Sequence, residues 1–468
     1  MLFSQKLYLY IIIAIVAGVA IYCFNPWQLY FQNDDFTHIL LSSKGVLFQR
    51  NSFRPVCDLS VMLDYALWGK NPVGYHITNL VLHVICSWLV YAFSKKMFVL
   101  YYGLNNKPTF AFIAALLFFI YPMHSESVFW ILGRSGTLGA IFSLLFLLFF
   151  VREEYTRFSI AAYLFFYSIA LLTYESCWPV PLAAMVLLAG RGQQLRDVIK
   201  SRKYHFITIG VVFIVYLFLR YKVTHEIFDN YEAGNFLHVN AATLVKSFLQ
   251  LIIRSFAAYI ETPVIITAAF GVLLIIVLYW LIKKATPVNS TPLYIVVCFL
   301  LCLLPYLSVG IDTHGTEGER FLYLPSVFVC LLVALVLYKM PGMVATVVVC
   351  FACVTYTSQL YINACNYRFA GNIVKQTLTA INGQPNGKDI VMEGLPKAQH
   401  GALILESGLA DAVELFQLHK RNINVQILSA RSETRPLQHP YKTIYQQPVD
   451  QEAVTQYIFT DSALIIYR

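Results

Sequence analysis

Charged residues are scarce: Asp, Glu, Lys and Arg make up 13% of this 468-residue chain, about half their usual share of a soluble domain. That scarcity, with 58% hydrophobic residues and a mean hydropathy of +0.62, excludes an ordinary water-soluble fold. Framework spacing of cysteines is missing too, which argues against a disulfide scaffold and a zinc site. Seven of the ten cysteines (Cys23, Cys86, Cys298, Cys302, Cys330, Cys350 and Cys353) lie in apolar runs, where cysteine behaves as a small apolar residue. Cys57, Cys177 and Cys365 lie at or near the outer side. The net charge of +9 falls mostly on connections expected in the cytoplasm, where anionic lipid head groups account for it. No nucleic-acid partner is expected.

What the chain has in abundance is apolar runs long enough to cross a bilayer. They predict about eleven transmembrane helices, near 7–24, 75–94, 109–123, 131–151, 158–173, 177–190, 204–221, 263–282, 292–310, 320–338 and 342–360. The first run, after Lys6, shows no small-residue cleavage pattern and reads as a retained helix. Lys95, Lys96, Lys107, Arg152, Arg191, Lys283, Lys284 and Lys339 fall on one side of this arrangement, so the amino terminus is expected inside and the carboxyl terminus outside.

The expected fold is thus a polytopic α-helical membrane domain over 1–360, followed by a small outer α/β unit over 361–468. In that unit "VQILSA" (425–430), "YKTIYQ" (441–446) and "SALIIYR" (462–468) read as strands, "GLADAVELFQLHKR" (408–421) as a helix, and "NGQPNGK" (382–388) as a linker. The long outer segments are 25–74 and 222–262. Each holds an amphipathic pattern, at 54–69 and 241–260.

Ionisable residues gather at the outer helix ends: Asp34, Asp35, His124, Glu126, Arg134, Glu175, Asp312, His314, Glu317, Glu319 and Arg320. Such groups at the hydrocarbon boundary usually face a bundle interior or a cavity with a function, although each alone could be a solvated loop end. The arginines could form structural ion pairs or a phosphate clamp. His76, Asn79 and His83 form one stripe of the second helix, a pattern that serves helix packing or ligand binding.

Five ordered segments, "NDDF", "FRPVCDLSVMLDYALWGKNPVGYHITNLVLH", "YPMHSESVFWILGRSGTLGAIFSLL", "TYESCWPVPL" and "GERFLYLPS", resemble the membrane half of the transmembrane O-mannosyltransferases that carry tetratricopeptide repeats, and their prokaryotic relatives. The resemblance covers roughly residues 30–330. The tail lacks recognisable tetratricopeptide repeats. Tyr121 stands where a small residue is expected, and "GRSGTL" lacks the acid that commonly follows "GR".

The resemblance implies a C-type (GT-C) glycosyltransferase that moves a sugar, by preference a mannose-like hexose, from a polyprenyl-phosphate donor to an acceptor hydroxyl. The acceptor would be a protein or an envelope glycan or lipid at the periplasmic or luminal side of an inner or plasma membrane. Asp34 would be the base of an inverting single displacement, with Asp35 orienting the acceptor or holding Asp34, or the two roles exchanged. Arg134 and Arg320, joined by His124 and Arg54, would meet the leaving phosphate. Glu126, Glu175 and Glu319 would fix the arginines or bind sugar hydroxyls, and His76 and His83 would orient. No cofactor is required, although carboxylates of this kind also suit magnesium or manganese. A flippase or transporter of lipid-linked sugars and an oligosaccharide ligase or polymerase are the alternatives. Internal repeats and midplane charges would mark a transporter, and neither is evident.

Overall fold

The computed structural model describes residues 16–22, 25–47, 53–102, 108–152, 154–190, 195–225, 240–257, 291–383, 389–393, 395–418, 425–428, 454–460 and 463–467. The expected 263–282 span, most of the 7–24 span and the 441–446 strand lie outside them.

Helices dominate. They are α1 (Asp35–Ser43), α2 (Pro55–Trp68), α3 (Pro72–Tyr102), α4 (Pro108–Phe119), α5 (Ser125–Phe129), α6 (Arg134–Phe150), α7 (Arg157–Thr173) and α8 (Val180–Ala189), then α9 (Leu195–Ser201), α10 (Lys203–Thr224), α11 (Ala241–Arg254), α12 (Thr291–Leu303), α13 (Pro325–Lys339), α14 (Gly342–Asn382) and α15 (Leu409–Leu415). Proline opens α2, α3, α4 and α13, where its missing N–H has no intrahelical partner to lose. At α7, Thr156 and Ser159 close a capping box, satisfying two otherwise orphaned donors.

By length and composition, α3, α10 and α14 are each long and apolar enough to cross a membrane. The expected 109–123 span departs from a straight helix. It ends at Phe119 and resumes as Pro122–Phe129 after a 54° bend. Pro122 cannot continue the α4 hydrogen-bond ladder and restricts the residue before it. The last expected span is longer than its apolar run: α14 continues unbroken from 342 through 360 to Asn382. Beyond Leu360 it keeps an apolar stripe, Ala364, Tyr367, Ala370, Val374, Leu378 and Ile381, all buried.

That stripe packs in a second apolar cluster, separate from the bundle core and made with Phe31, Phe36 and Ile39 of the 25–74 segment and Leu405, Leu409 and Leu415 near the carboxyl end. Each Leu or Phe sequestered from water in such a cluster contributes on the order of 2 kcal/mol. Within the bundle, by contrast, helices associate by close packing and interhelical hydrogen bonds.

The carboxyl-terminal residues also form β1 (Asp389–Glu393), β2 (Ala398–Gln399), β3 (Ala402–Leu403), β4 (Val425–Leu428), β5 (Val454–Thr460) and β6 (Ala463–Tyr467). The four-stranded sheet has the order β4-β1-β5-β6. β1 runs parallel to both neighbours, and β5 and β6 form an antiparallel hairpin.

Candidate active site

Asn33 adopts a left-handed conformation, φ 47°, so the chain turns sharply just before Asp34 and starts α1 at Asp35. The two carboxylates therefore enter different surroundings. Asp34 is half-buried, and its Oδ1 accepts the hydroxyl of Ser407. Asp35 is fully buried, and its Oδ2 accepts the Gln32 N–H at 2.9 Å. Burial lifts the Asp35 carboxyl well above the usual carboxylate range, and the charge of Asp34 pushes the same way, against the Gln32 and Leu132 amides and the Arg134 charge. Asp34 is thus the reachable member of the pair and Asp35 the enclosed one.

The arginines near the site are paired with acids. Arg320 pairs with Glu126, which also accepts the Arg320 backbone N–H at 2.7 Å. Its guanidinium lies over the rings of Trp130 and Phe321, at 5.2 and 4.8 Å. Arg54 binds Glu175 through two nitrogens, Nε to Oε2 at 2.9 Å, with Arg220 4.0 Å from the same carboxylate. Both Arg320 and Arg54 remain partly open to solvent, with side chains 15% and 18% exposed.

Arg134 is different. It is wholly enclosed, pairs with Asp64 at 2.6 Å, and donates to the carbonyls of Ile131, Ser60 and Tyr75. All three guanidinium nitrogens are engaged in tying α2, α3 and α6 together, the arrangement of a structural ion pair, one of the two roles the sequence leaves open for this residue.

His83 and His124 come together inside the bundle, ring centroids 5.5 Å apart. His83 bonds Tyr323 at 2.6 Å and the Phe119 carbonyl at 3.0 Å, and His124 bonds Ser326 at 2.8 Å. Phe118 and Tyr323 pack against both. These two histidines join α3, α13 and the bend after α4. His76 is buried near Arg134 and the Tyr30 carbonyl.

Residues that the sequence did not single out complete the region. Arg254 pairs with Glu319 at 2.6 Å and donates to the carbonyls of Asp312 and Gly315. It ties α11 to the 310–320 loop. Asp58 of α2 lies 3.3 Å from His38, one turn along α1 from Asp34. Its signal was available in the helical spacing of Arg54 and Asp58.

The 397–408 stretch bridges the acid turn and the 310–320 loop. The Asn33 N–H donates to the Ile404 carbonyl at 2.9 Å, and the Thr316 N–H donates to the His400 carbonyl at 2.9 Å. Beside Arg320, Glu317 is exposed to solvent yet closely surrounded. The dense protein around it, and then the charge of Glu126, push its carboxyl up to about 7, opposed by Arg320; Glu406 and Asp312 add to the rise.

No family model matches the chain. The mouse protein O-mannosyl-transferase TMTC2 is 36% identical over 133 residues, which are 28% of this chain and 15% of that protein. The Caenorhabditis elegans protein O-mannosyl-transferase F38B6.6 is 26% identical over 343 residues, 68% of this chain and 46% of that protein. The chain thus spans less than half the length of either relative. Among solved structures, ArnT from Cupriavidus metallidurans bound to undecaprenyl phosphate aligns over 89% of both chains with 11% identity and a TM-score of 0.49. By sequence, this membrane chain resembles the protein O-mannosyl-transferases, as its ordered outer motifs imply.

Proposed function

We propose that the chain is an inverting glycosyltransferase that moves a hexose, mannose-like by preference, from a polyprenyl-phosphate carrier to an acceptor hydroxyl outside the cytoplasm. The observation that carries this reading is the division of labour at Asp34 and Asp35. A half-buried carboxyl group stands just before α1, with a fully buried acid beside it whose carboxyl burial pushes up. Names of relatives over part of the chain support the same reaction class.

In this mechanism Asp34 takes the proton of the acceptor hydroxyl as its oxygen attacks the anomeric carbon, and the carrier phosphate leaves from the opposite face. Asp35 supports the Asn33–Asp34 turn. Arg320 and Arg54, the partly open cations, meet the charge developing on the phosphate, and Glu126 and Glu175 hold them in place. Arg134 acts from beneath as a staple. His83 and His124 fix the bundle around the bend, and Glu319 fixes the 310–320 loop through Arg254. Two guanidinium groups supply the positive charge, and no step is routed through a metal. The acceptor is a protein or an envelope glycan or lipid.

The same reading puts eleven helices across an inner or plasma membrane, the amino terminus in the cytoplasm and the 361–468 unit outside. A reporter fused after Arg468 is active only outside the cytoplasm under this topology; cytoplasmic activity contradicts it.

Glu317 gives the reading a pH dependence. Its carboxyl, raised to about 7, is neutral below that pH and charged above it. The added negative charge near Arg320 opposes phosphate binding. The KM for donor should rise about threefold between pH 6 and 8, and Glu317→Gln should flatten that rise. An unchanged profile in the variant removes Glu317 from this role.

The reading is tested with purified protein, a panel of polyprenyl-phosphate sugars and an envelope extract as acceptor. Transfer with inverted anomeric configuration supports it. Transfer with retention contradicts the single displacement, and absence of transfer from every donor by folded protein favours the flippase alternative.

A further inference from the structure

Ser407 lies beyond the stretch that carries the family resemblance, on a segment the reaction has so far used only as a bridge. It is exposed, yet it reaches the acid turn with two groups. Its backbone N–H donates to Asn33 Oδ1 at 2.7 Å. Its hydroxyl lies 2.8 Å from the same oxygen and also reaches Asp34 Oδ1. A hydroxyl has one proton to give, and a carboxylate is the stronger acceptor. Since Asn33 Oδ1 is served by the Ser407 N–H, the hydroxyl proton belongs to Asp34.

The residue is held there from both directions. Gly408 has φ 79°, and a Cβ at this position would sit 2.2 Å from the Asn33 carbonyl oxygen. Only glycine combines that left-handed turn with so close an approach. After it, α15 anchors on α1 through the Thr37–Asp411 bond and the Lys44–Glu414 pair, and Lys70 donates to the Leu415 carbonyl at 2.6 Å. Before it, Gly401, φ 85°, would bring a Cβ within 2.2 Å of the Thr316 N–H. The segment is docked at the acid turn and at the 310–320 loop, with Ser407 between the two.

We propose that Ser407 is a positioning residue for Asp34: docked through the Gly408 turn, its hydroxyl holds the carboxylate in the one rotamer that faces the acceptor. This rests on the reading of Asp34 as the base. A half-buried aspartate at a helix start has several staggered rotamers open to it, and a group that must take a proton along a set direction is effective only when a second contact fixes it. The carboxyl-terminal segment is then part of the active site rather than a cover over it.

The test compares Ser407→Ala, Ser407→Thr and Asp34→Asn in the full chain, reading kcat, the KM for donor and the melting midpoint. Ser407→Ala should lower kcat about tenfold, in line with the loss of one hydrogen bond to a charged group, with the KM for donor and the melting midpoint unmoved. Ser407→Thr, whose extra methyl points to solvent at this exposed position, should restore most of the loss. Wild-type kcat in Ser407→Ala, or a loss that threonine does not rescue, overturns the positioning role while the base assignment stands. Full activity in Asp34→Asn overturns the base assignment itself, and the positioning role with it.

Discussion

Asp34→Asn should cut turnover by about a thousandfold while leaving donor affinity near wild type. The amide keeps the size of the side chain and can still accept the Ser407 hydroxyl, so the turn before α1 should survive. What it loses is the ability to take a proton as the acceptor oxygen attacks. The neighbouring Asp35→Asn should behave oppositely. Burial raises that carboxyl, which favours its uncharged form, and asparagine is close to that form in size and polarity, so turnover should stay within about tenfold of wild type. Single-turnover sugar transfer, with donor binding measured separately, distinguishes the two. Equal losses in both variants would mean that the carboxylates act as one unit.

The second large effect concerns stability. Arg134→Ala should destabilise the protein by about 3–5 kcal/mol, because it leaves Asp64 buried without its cation. Among the described residues, Asp64 then keeps the Thr78 hydroxyl, at 2.7 Å, and the carbonyls of Ser60 and Tyr75 lose a donor. Replacing both members, Arg134→Leu with Asp64→Leu, should recover much of that loss, since a buried pair exchanged for apolar residues of similar volume is often close to neutral. Thermal melting in detergent reads the effect. A folded Arg134→Ala protein with a native melting midpoint and weakened donor binding would return Arg134 to the phosphate clamp.

The apolar runs made the membrane-spanning character legible. The pairings were not legible. Arg320 meets Glu126 across 194 residues and Arg54 meets Glu175 across 121, and nothing local in a sequence says which acid an arginine will choose. That is why Arg134, which looks like Arg320 in sequence, has a different place. Periodicity also under-reads α14, since its apolar stripe changes partner near residue 360 from the bundle core to the second apolar cluster while the overall composition turns polar. His83 stands out in sequence by its helical stripe and His124 by its place at a helix end, and only packing brings their rings together. Ser407 carried no signal, because a serine in a turn-rich tail has no distinguishing chemistry until the fold sets it against Asp34.

The most direct test of the account is release of polyprenyl phosphate from a lipid-linked sugar by wild type and Asp34→Asn, with acceptor present and donor binding measured on the same samples. The account predicts release by wild type and about a thousandfold slower release by the variant, at equal donor affinity. Equal release by both proteins would contradict Asp34 as the base and leave the outer acid turn without the role assigned to it.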